Sequence, residues 1–301
     1  MFALVIGLII PVSGTALAVT PARAPSSVTV RLSAPAVALG TDVTLTGRTQ
    51  GARRVVAMQT RDSTGRWRTV ARTRTTASGR FSFRAPSWHA THRLRVVAAQ
   101  NSTRRRAVSA TAKLVVHPPR TAGGSPHDFT HAARTRTRWD PCRRLTYAVN
   151  TANAPAWFVG EVRQAMQEMY LLTGLDFVDV GITKEKRTPN ILGSPRRDIV
   201  IRWGSPQNLA SLKGQAAVGG AWVAAGERSS GYTILNRTAH PVTDVEYWAM
   251  VLRHEIGHAI GLGHAAGPEQ VMTVRRPPRE FMYGAGDVAG FAAIGASHGC
   301  L

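Results

Sequence analysis

The sequence predicts two domains, an all-β sandwich followed by a mixed α/β (α+β) domain, and three observations carry that expectation. Short segments alternating apolar and polar residues recur between turn residues from 27 to 117. Residues 118–138, opening Pro-Pro-Arg-Thr-Ala-Gly-Gly-Ser-Pro, then lose all periodicity. From 139 to 301, strand-like runs are separated by long segments of helical period. With 301 residues and 44% hydrophobic content, the chain has enough apolar material for two cores, which excludes a disordered protein.

The first element is a leader. Residues 2–10 are continuously apolar, and residues 11–18 are small, with Ala16 and Ala18 spaced as at a signal-peptidase site. Residues 1–26 therefore read as a signal peptide and short leader, and the protein as secreted. The positive start of such peptides is missing, and an upstream start would supply it. An uncleaved anchor is the competing reading, because residues 2–19 nearly reach spanning length. No other segment could span a membrane, so none is expected after cleavage.

Seven candidate strands follow, at 28–32, 42–46, 55–59, 67–70, 80–83, 94–98 and 112–116. The order Leu39-Gly-Thr-Asp-Val-Thr-Leu-Thr-Gly47, Gly65-Arg-Trp67, Ser78-Gly-Arg-Phe-Ser-Phe83 resembles bacterial immunoglobulin-like modules, which implies an immunoglobulin-like sandwich over 27–117. That region shows no cluster of metal ligands and no nucleophile beside a base. His89 and His92 read as a polar loop.

Residues 118–138 have the composition of a linker, and the second domain runs over 139–301, a single-core size. Within it, residues 145–150 read as a strand. Residues 156–173 read as an amphipathic helix, entered after Pro155 and stopped by Gly174, and 198–203 and 232–236 as further strands.

Cys142 and Cys300 are the only cysteines, and in an exported protein a lone pair is most simply one disulfide. Closing so long a loop stabilises by roughly 5 kcal/mol on the chain-entropy model. The formal charge of +21 would draw nucleic acid, but it is almost all arginine, scattered along both halves, with no interleaved aromatic stripe. A solvated surface is the expected reading, with no specific nucleic acid partner. Anionic cell-wall polymers and acidic proteins are the partners left open.

The chemistry is concentrated in one helix. Thr243-Asp-Val-Glu246 fits a capping box, and the helix runs to a glycine stop at Gly261. It ends Arg253-His-Glu-Ile-Gly-His-Ala-Ile-Gly-Leu-Gly-His264. His254 and His258, four residues apart, project from one face and can take two positions on a single Zn2+. Val245, Leu252 and Ile256 are expected to anchor the opposite side. Glu255 lies close enough round the helix to address a metal-activated water as general base without ligating the metal. Gly261, at positive φ, can turn the chain so that His264 completes a three-histidine site with an open fourth position.

The spacing H-E-x-x-H-x-x-G-x-x-H is the signature of metzincin zinc proteases, and the chain resembles their bacterial matrixin-like members. The resemblance continues through Glu269-Gln-Val-Met-Thr-Val274, similar to the Met-turn beneath the metal, which gives Met272 that role. Residues 283–295 are similar to the closing helix of matrixins, and Trp139-Asp-Pro-Cys142 to the start of the catalytic domain in bacterial relatives. The resemblance implies one catalytic zinc and a protein or peptide substrate. Several departures stand beside it. Both cysteines are already assigned, so no cysteine is left to cap the zinc. Asp128 in the linker is a candidate to approach the metal but reads as solvated. Position 274 is valine where some metzincins carry a tyrosine. Residues 203–231 offer only Glu227, so calcium and a second zinc are unsupported. The substrate wall should follow Met272, in Val274-Arg-Arg-Pro-Pro278. The alternative function is a cell-wall or polysaccharide binder with a vestigial zinc domain, against which the intact Glu255 argues. Nucleic-acid binding is a third, resting on charge alone.

Overall fold

The structure, a computed structural model, describes residues 23–118, 122–133, 137–190, 196–274 and 283–301. Residues 1–22, most of the expected leader, and residues 275–278 of the expected substrate wall lie outside the described residues. Among those described, no helix is long and apolar enough to cross a membrane.

The first half consists of β1 (Val28–Leu32), β2 (Ala36–Ala38), β3 (Thr44–Thr49), β4 (Val55–Arg61), β5 (Trp67–Arg74), β6 (Arg80–Arg84), β7 (Ala90–Ala98), β8 (Ala107–Val108) and β9 (Ala112–His117). β1, β3 and β6 form one antiparallel sheet; β2, β9, β7, β4 and β5 form another, with β8 on β7. Period-two alternation turns one face of each strand inward. Leu45, Val56, Phe81, Phe83, Leu94, Val96 and Leu114 thereby fill a core of their own. β2 and β8, which the sequence did not announce, are three and two residues long, too short for alternation to register.

His92 differs from expectation. β7 starts at Ala90 rather than 94, so His92 falls on its inward face, 2% exposed, and donates from Nε2 to the Trp88 carbonyl at 3.0 Å. Burial pushes its pKa down to about 4, which keeps it neutral. His89 contacts the Val116 carbonyl through Nδ1 at 2.9 Å.

The second half contains β10 (Leu145–Asn150), α1 (Phe158–Thr173), β11 (Phe177–Ile182), β12 (Ile199–Gly204), β13 (Ala217–Ala224), β14 (Glu227–Asn236), α2 (Val245–Ile260) and α3 (Ala285–Ile294). Their sheet runs β11-β10-β12-β14-β13; the first four strands are parallel, and β13 closes one edge antiparallel to β14. Parallel strands are covered on both faces, which is why β12 reads as the nearly unbroken run Ile-Val-Ile-Arg-Trp. Phe158, Val162, Met166, Met169 and Leu172 give α1 its buried stripe, and Gly174 at φ +70° stops it. The Cys142–Cys300 disulfide forms, with Cα atoms 5.3 Å apart across a sequence separation of 158. The two halves touch where the Trp88 ring lies over Gly174 and His89 N–H donates to the Leu171 carbonyl at 2.8 Å.

α2 begins one residue later than the sequence suggests. Its cap is Asp244, whose carboxylate accepts the Tyr247 N–H at 3.0 Å, because an ionised oxygen at this position outcompetes the Thr243 hydroxyl. The apolar anchor shifts accordingly: Val245 is 40% exposed, and Trp248, Leu252, Ile256 and Ile260 form the buried stripe at four-residue steps.

Arg253 fixes α2 to α1. Its guanidinium, 2% exposed, forms a bidentate pair with Glu168 at 2.7 Å and a further contact with Glu161, while its Nη1 also donates to the Ala249 carbonyl. Removing one member of such a buried set costs about 3–5 kcal/mol, mostly from the charges left unpaired. Since the two glutamates keep some exposure, Arg253→Met is expected to destabilise by roughly 3 kcal/mol in denaturant unfolding. Introducing Glu161→Gln and Glu168→Gln as well should recover more than half of that loss; an equal loss in both backgrounds would mean packing, not charge, is responsible.

Candidate active site

The three histidines of the motif come together at the end of α2. His254 and His258 Nε2 atoms are 3.0 Å apart, and His258 and His264 Nε2 atoms 3.2 Å apart. The rings of His254 and His258 stand nearly perpendicular. His254 Nδ1 faces the Val271 carbonyl at 2.7 Å, and His258 Nδ1 faces the Leu262 carbonyl at 2.8 Å. A carbonyl only accepts, so each of these Nδ1 atoms carries the hydrogen, and each Nε2 presents a lone pair to the others. Burial, with the neighbouring histidines adding to it, pushes the His258 pKa down to about 3, and burial likewise lowers His254 and His264. Neutral imidazoles aiming lone pairs at one point suit a cation, and the all-nitrogen set suits zinc. The residues therefore fit the metal that the motif implies.

The chain turns between His258 and His264 at Gly261, whose φ is +141°. A Cβ there would crowd Arg228 Nε and the Ile294 side chain. Arg228, 2% exposed, donates to the His258 and Ala259 carbonyls, and the Trp139 indole also donates to Ala259 at 3.0 Å. These bonds satisfy carbonyls that the helix leaves open at its C-terminus.

Glu255 is 8% exposed and receives the Gly219 N–H from β13. Burial pushes its pKa up to about 8, against the lowering effect of that hydrogen bond; a metal charge on the adjacent histidines acts in the lowering direction too. β13 comes this close because Gly219 has no side chain: a Cβ would fall on the Glu255 backbone carbonyl. Cavities of about 470 Å³ and 570 Å³ flank the histidines, and Gly219 of β13, His258 and His264 line both. Tyr232 lines the larger and Val251 the smaller.

Met272, 1% exposed, packs beneath α2 where a Cβ on Gly257 would strike its sulfur. The turn carrying it is held by Asp287 of α3, whose carboxylate accepts the N–H groups of Val271 at 2.6 Å, Met272 at 3.2 Å and Gly284 at 3.0 Å. Val271 in turn accepts from His254, so α3 reaches the histidine cluster through a single residue.

Asp128 is not directed at the histidines. Its two carboxylate oxygens accept the N–H groups of Ala266 and Gly267, at 2.8 and 2.7 Å, just past His264. Beside it, Thr130 Oγ1 donates to the His264 carbonyl at 2.8 Å, Gly263 N–H donates to the Thr130 carbonyl, and Ala132 N–H donates to the Gly261 carbonyl. Over residues 122–133, the stretch with linker composition thus clasps the loop bearing the third histidine. Sequence reasoning sets Asp128 aside as solvated and misses the parts played by Gly219, Arg253 and Asp287. Three of these four act on backbone atoms or through a missing side chain, which no residue pattern advertises.

Residues 173–265 match the family described as Metallo-peptidase family M12B Reprolysin-like, a span that includes the three histidines and Glu255. The match supports a metzincin-type zinc metalloprotease acting on peptide bonds. No curated protein matches the chain. Among solved structures, it is similar to the Ruminococcus gnavus beta-glucuronidase at 11% identity and a TM-score of 0.19, over 52% of this chain and 28% of that one. A Bifidobacterium dentium beta-glucuronidase complexed with coumarin-3-O-glucuronide aligns at 11% identity and 0.20, over 53% and 31%. The chain spans less than a third of either, and likeness at this level carries no argument.

Proposed function

We propose that this protein is a secreted, matrixin-like zinc endopeptidase, with residues 139–301 as catalytic domain, residues 27–117 as an immunoglobulin-like module and residues 118–138 between them. The observation that carries this reading is the convergence of three neutral imidazoles beside a buried glutamate on one helix. The separate apolar core of the first half supports the division, and the closing helix with Asp287 supports the matrixin-like assignment. The leader sequence supports secretion.

His254, His258 and His264 would hold the zinc, which when bound would supply Lewis acidity toward water and a peptide carbonyl. Glu255 takes the proton from the attacking water on its carboxylate and returns it to the leaving amine, while the Gly219 N–H keeps that carboxylate oriented. β13 is the edge strand of its sheet and lines both cavities, so an extended peptide can add to it as a further strand and pass Glu255.

Purified full-length protein is expected to carry one zinc per chain and to cleave casein; a chelator should abolish cleavage and added zinc restore it. Cleavage indifferent to chelation would overturn the reading. Bound zinc without cleavage of any protein would favour the wall-binding alternative.

A further inference from the structure

The charge is not evenly spread. Residues 23–118 hold eighteen Arg and Lys against two acidic residues, Asp42 and Asp62, whereas residues 119–301 hold twenty against fifteen. In the first half, the outer face of the sheet containing β9, β7, β4 and β5 gathers much of the excess. Alternation puts Lys113, Arg93, Arg95, Arg61, Arg72 and Arg74 on that face, opposite the inward Leu114, Leu94, Val56 and Met58.

Register arranges these cations in rows. Lys113 lies directly opposite Arg93; Leu94 pairs Thr60, so Arg93 neighbours Arg61 on the next strand, and Arg61 pairs Trp67. Strands lie about 4.8 Å apart, so Lys113, Arg93 and Arg61 form a line of like charges at that spacing. Like charges directly opposite in a ladder repel, a cost that a bound anion would remove. Among the described residues, none of the six makes an ion pair with a carboxylate. In the next row, the Arg95 guanidinium carbon sits 4.1 Å above the Trp67 ring, and its Nε donates to Gln59 Oε1 at 2.9 Å. This fixes one cation rigidly at the centre of the face. At the junction with the second half, the row opens into a cavity of about 670 Å³ whose wall includes Arg61, Arg93, His117 and Ser297. Asp62 also lines it, with its carboxylate engaged by Thr64 Oγ1 and the Arg66 N–H.

We propose that this face binds a linear acidic polysaccharide, laid across the strands with its carboxylates over the row Lys113, Arg93 and Arg61. A sheet face with cations at strand spacing matches a flexible chain bearing a regularly repeated negative charge. Nucleic acid fits less well: Arg95 covers the Trp67 ring on this face, so that ring offers bases no stacking platform, and among the described residues of the first half there is no helix to enter a groove. The surface is independent of the peptidase reading, because its test measures binding and not cleavage.

The full-length protein should bind polygalacturonate and not neutral dextran, with affinity falling steeply as salt rises. The triple variant Arg61→Gln, Arg93→Gln, Lys113→Gln should weaken binding by roughly tenfold or more. The equal-charge control is Arg31→Gln, Arg48→Gln, Arg80→Gln on the other sheet, where Arg48 and Arg80 are also opposed but a carboxylate, Asp42, already pairs Arg84 of β6. That control should retain most of the affinity. Equal loss in both triples would reduce the effect to net charge and overturn the assignment, as would equal binding to dextran. Tighter binding of a single-stranded oligonucleotide at the same salt, lost in the same variant, would give the face to nucleic acid instead.

Discussion

Glu255→Gln is expected to lower peptide cleavage by about 10³–10⁴-fold while leaving zinc bound. The substitution is isosteric, so the amide oxygen can still accept the Gly219 N–H, and the three Nε2 atoms are untouched. What disappears is the group able to take a proton from water and hand it to the departing amine. A loss of that size corresponds to about 4–5.5 kcal/mol of transition-state stabilisation, at 1.36 kcal/mol per decade. Paired measurements of kcat/KM and zinc content decide the matter. Cleavage above a tenth of the parent rate, with zinc retained, would remove Glu255 from the mechanism.

The second large effect concerns residues 122–133. Asp128 holds the N–H groups of Ala266 and Gly267, and Thr130 holds the carbonyl of His264 itself, so the third imidazole is fixed from a segment more than a hundred residues upstream. Groups that orient a metal ligand from behind typically contribute 10–100-fold in affinity. Asp128→Ala is therefore expected to weaken zinc binding by about 10–100-fold, with Asp128→Asn falling between it and the parent. A fragment starting at residue 139 should be at least as impaired, whereas one starting at 122 should behave like the full chain. Chelator competition gives the zinc affinity, and thermal unfolding of the metal-free proteins separates lost anchoring from lost folding. Affinity within threefold of the parent in Asp128→Ala would show that the loop holds His264 unaided.

The helix bearing the motif was legible because ligand geometry there is a property of one element: residues four apart on a helix meet whatever surrounds them. The same holds for α1, with its apolar stripe and glycine stop, and for strands whose alternation runs five residues or more. β13 was not foreseen, because Gly219-Gly220 interrupts the alternation that would reveal a strand. That same gap in the pattern is what lets the strand approach Glu255, so the signal was lost at the position where close approach matters. The clasp over residues 122–133 has the sequence character of a linker for a related reason. It is an irregular stretch with no apolar period, held to the loop after α2 chiefly through main-chain groups. The cations look scattered in sequence because, in β7 and β9, Arg93, Arg95 and Lys113 each alternate with an apolar residue as in any half-buried strand; only the register between strands lines them up.

The disulfide has a bearing on how the proposed peptidase ages. It joins residue 142, just ahead of the first strand of the second half, to residue 300, so nearly all of that half lies inside one covalent ring. A protease is exposed to attack by its own copies, and its surface loops are the first places to be cut. A single cut anywhere inside the ring opens it without releasing a fragment. Both pieces remain tethered, and the nicked enzyme can hold its shape, so autolysis in the loops between residues 142 and 300 becomes scission without dissociation for as long as the surroundings stay oxidising.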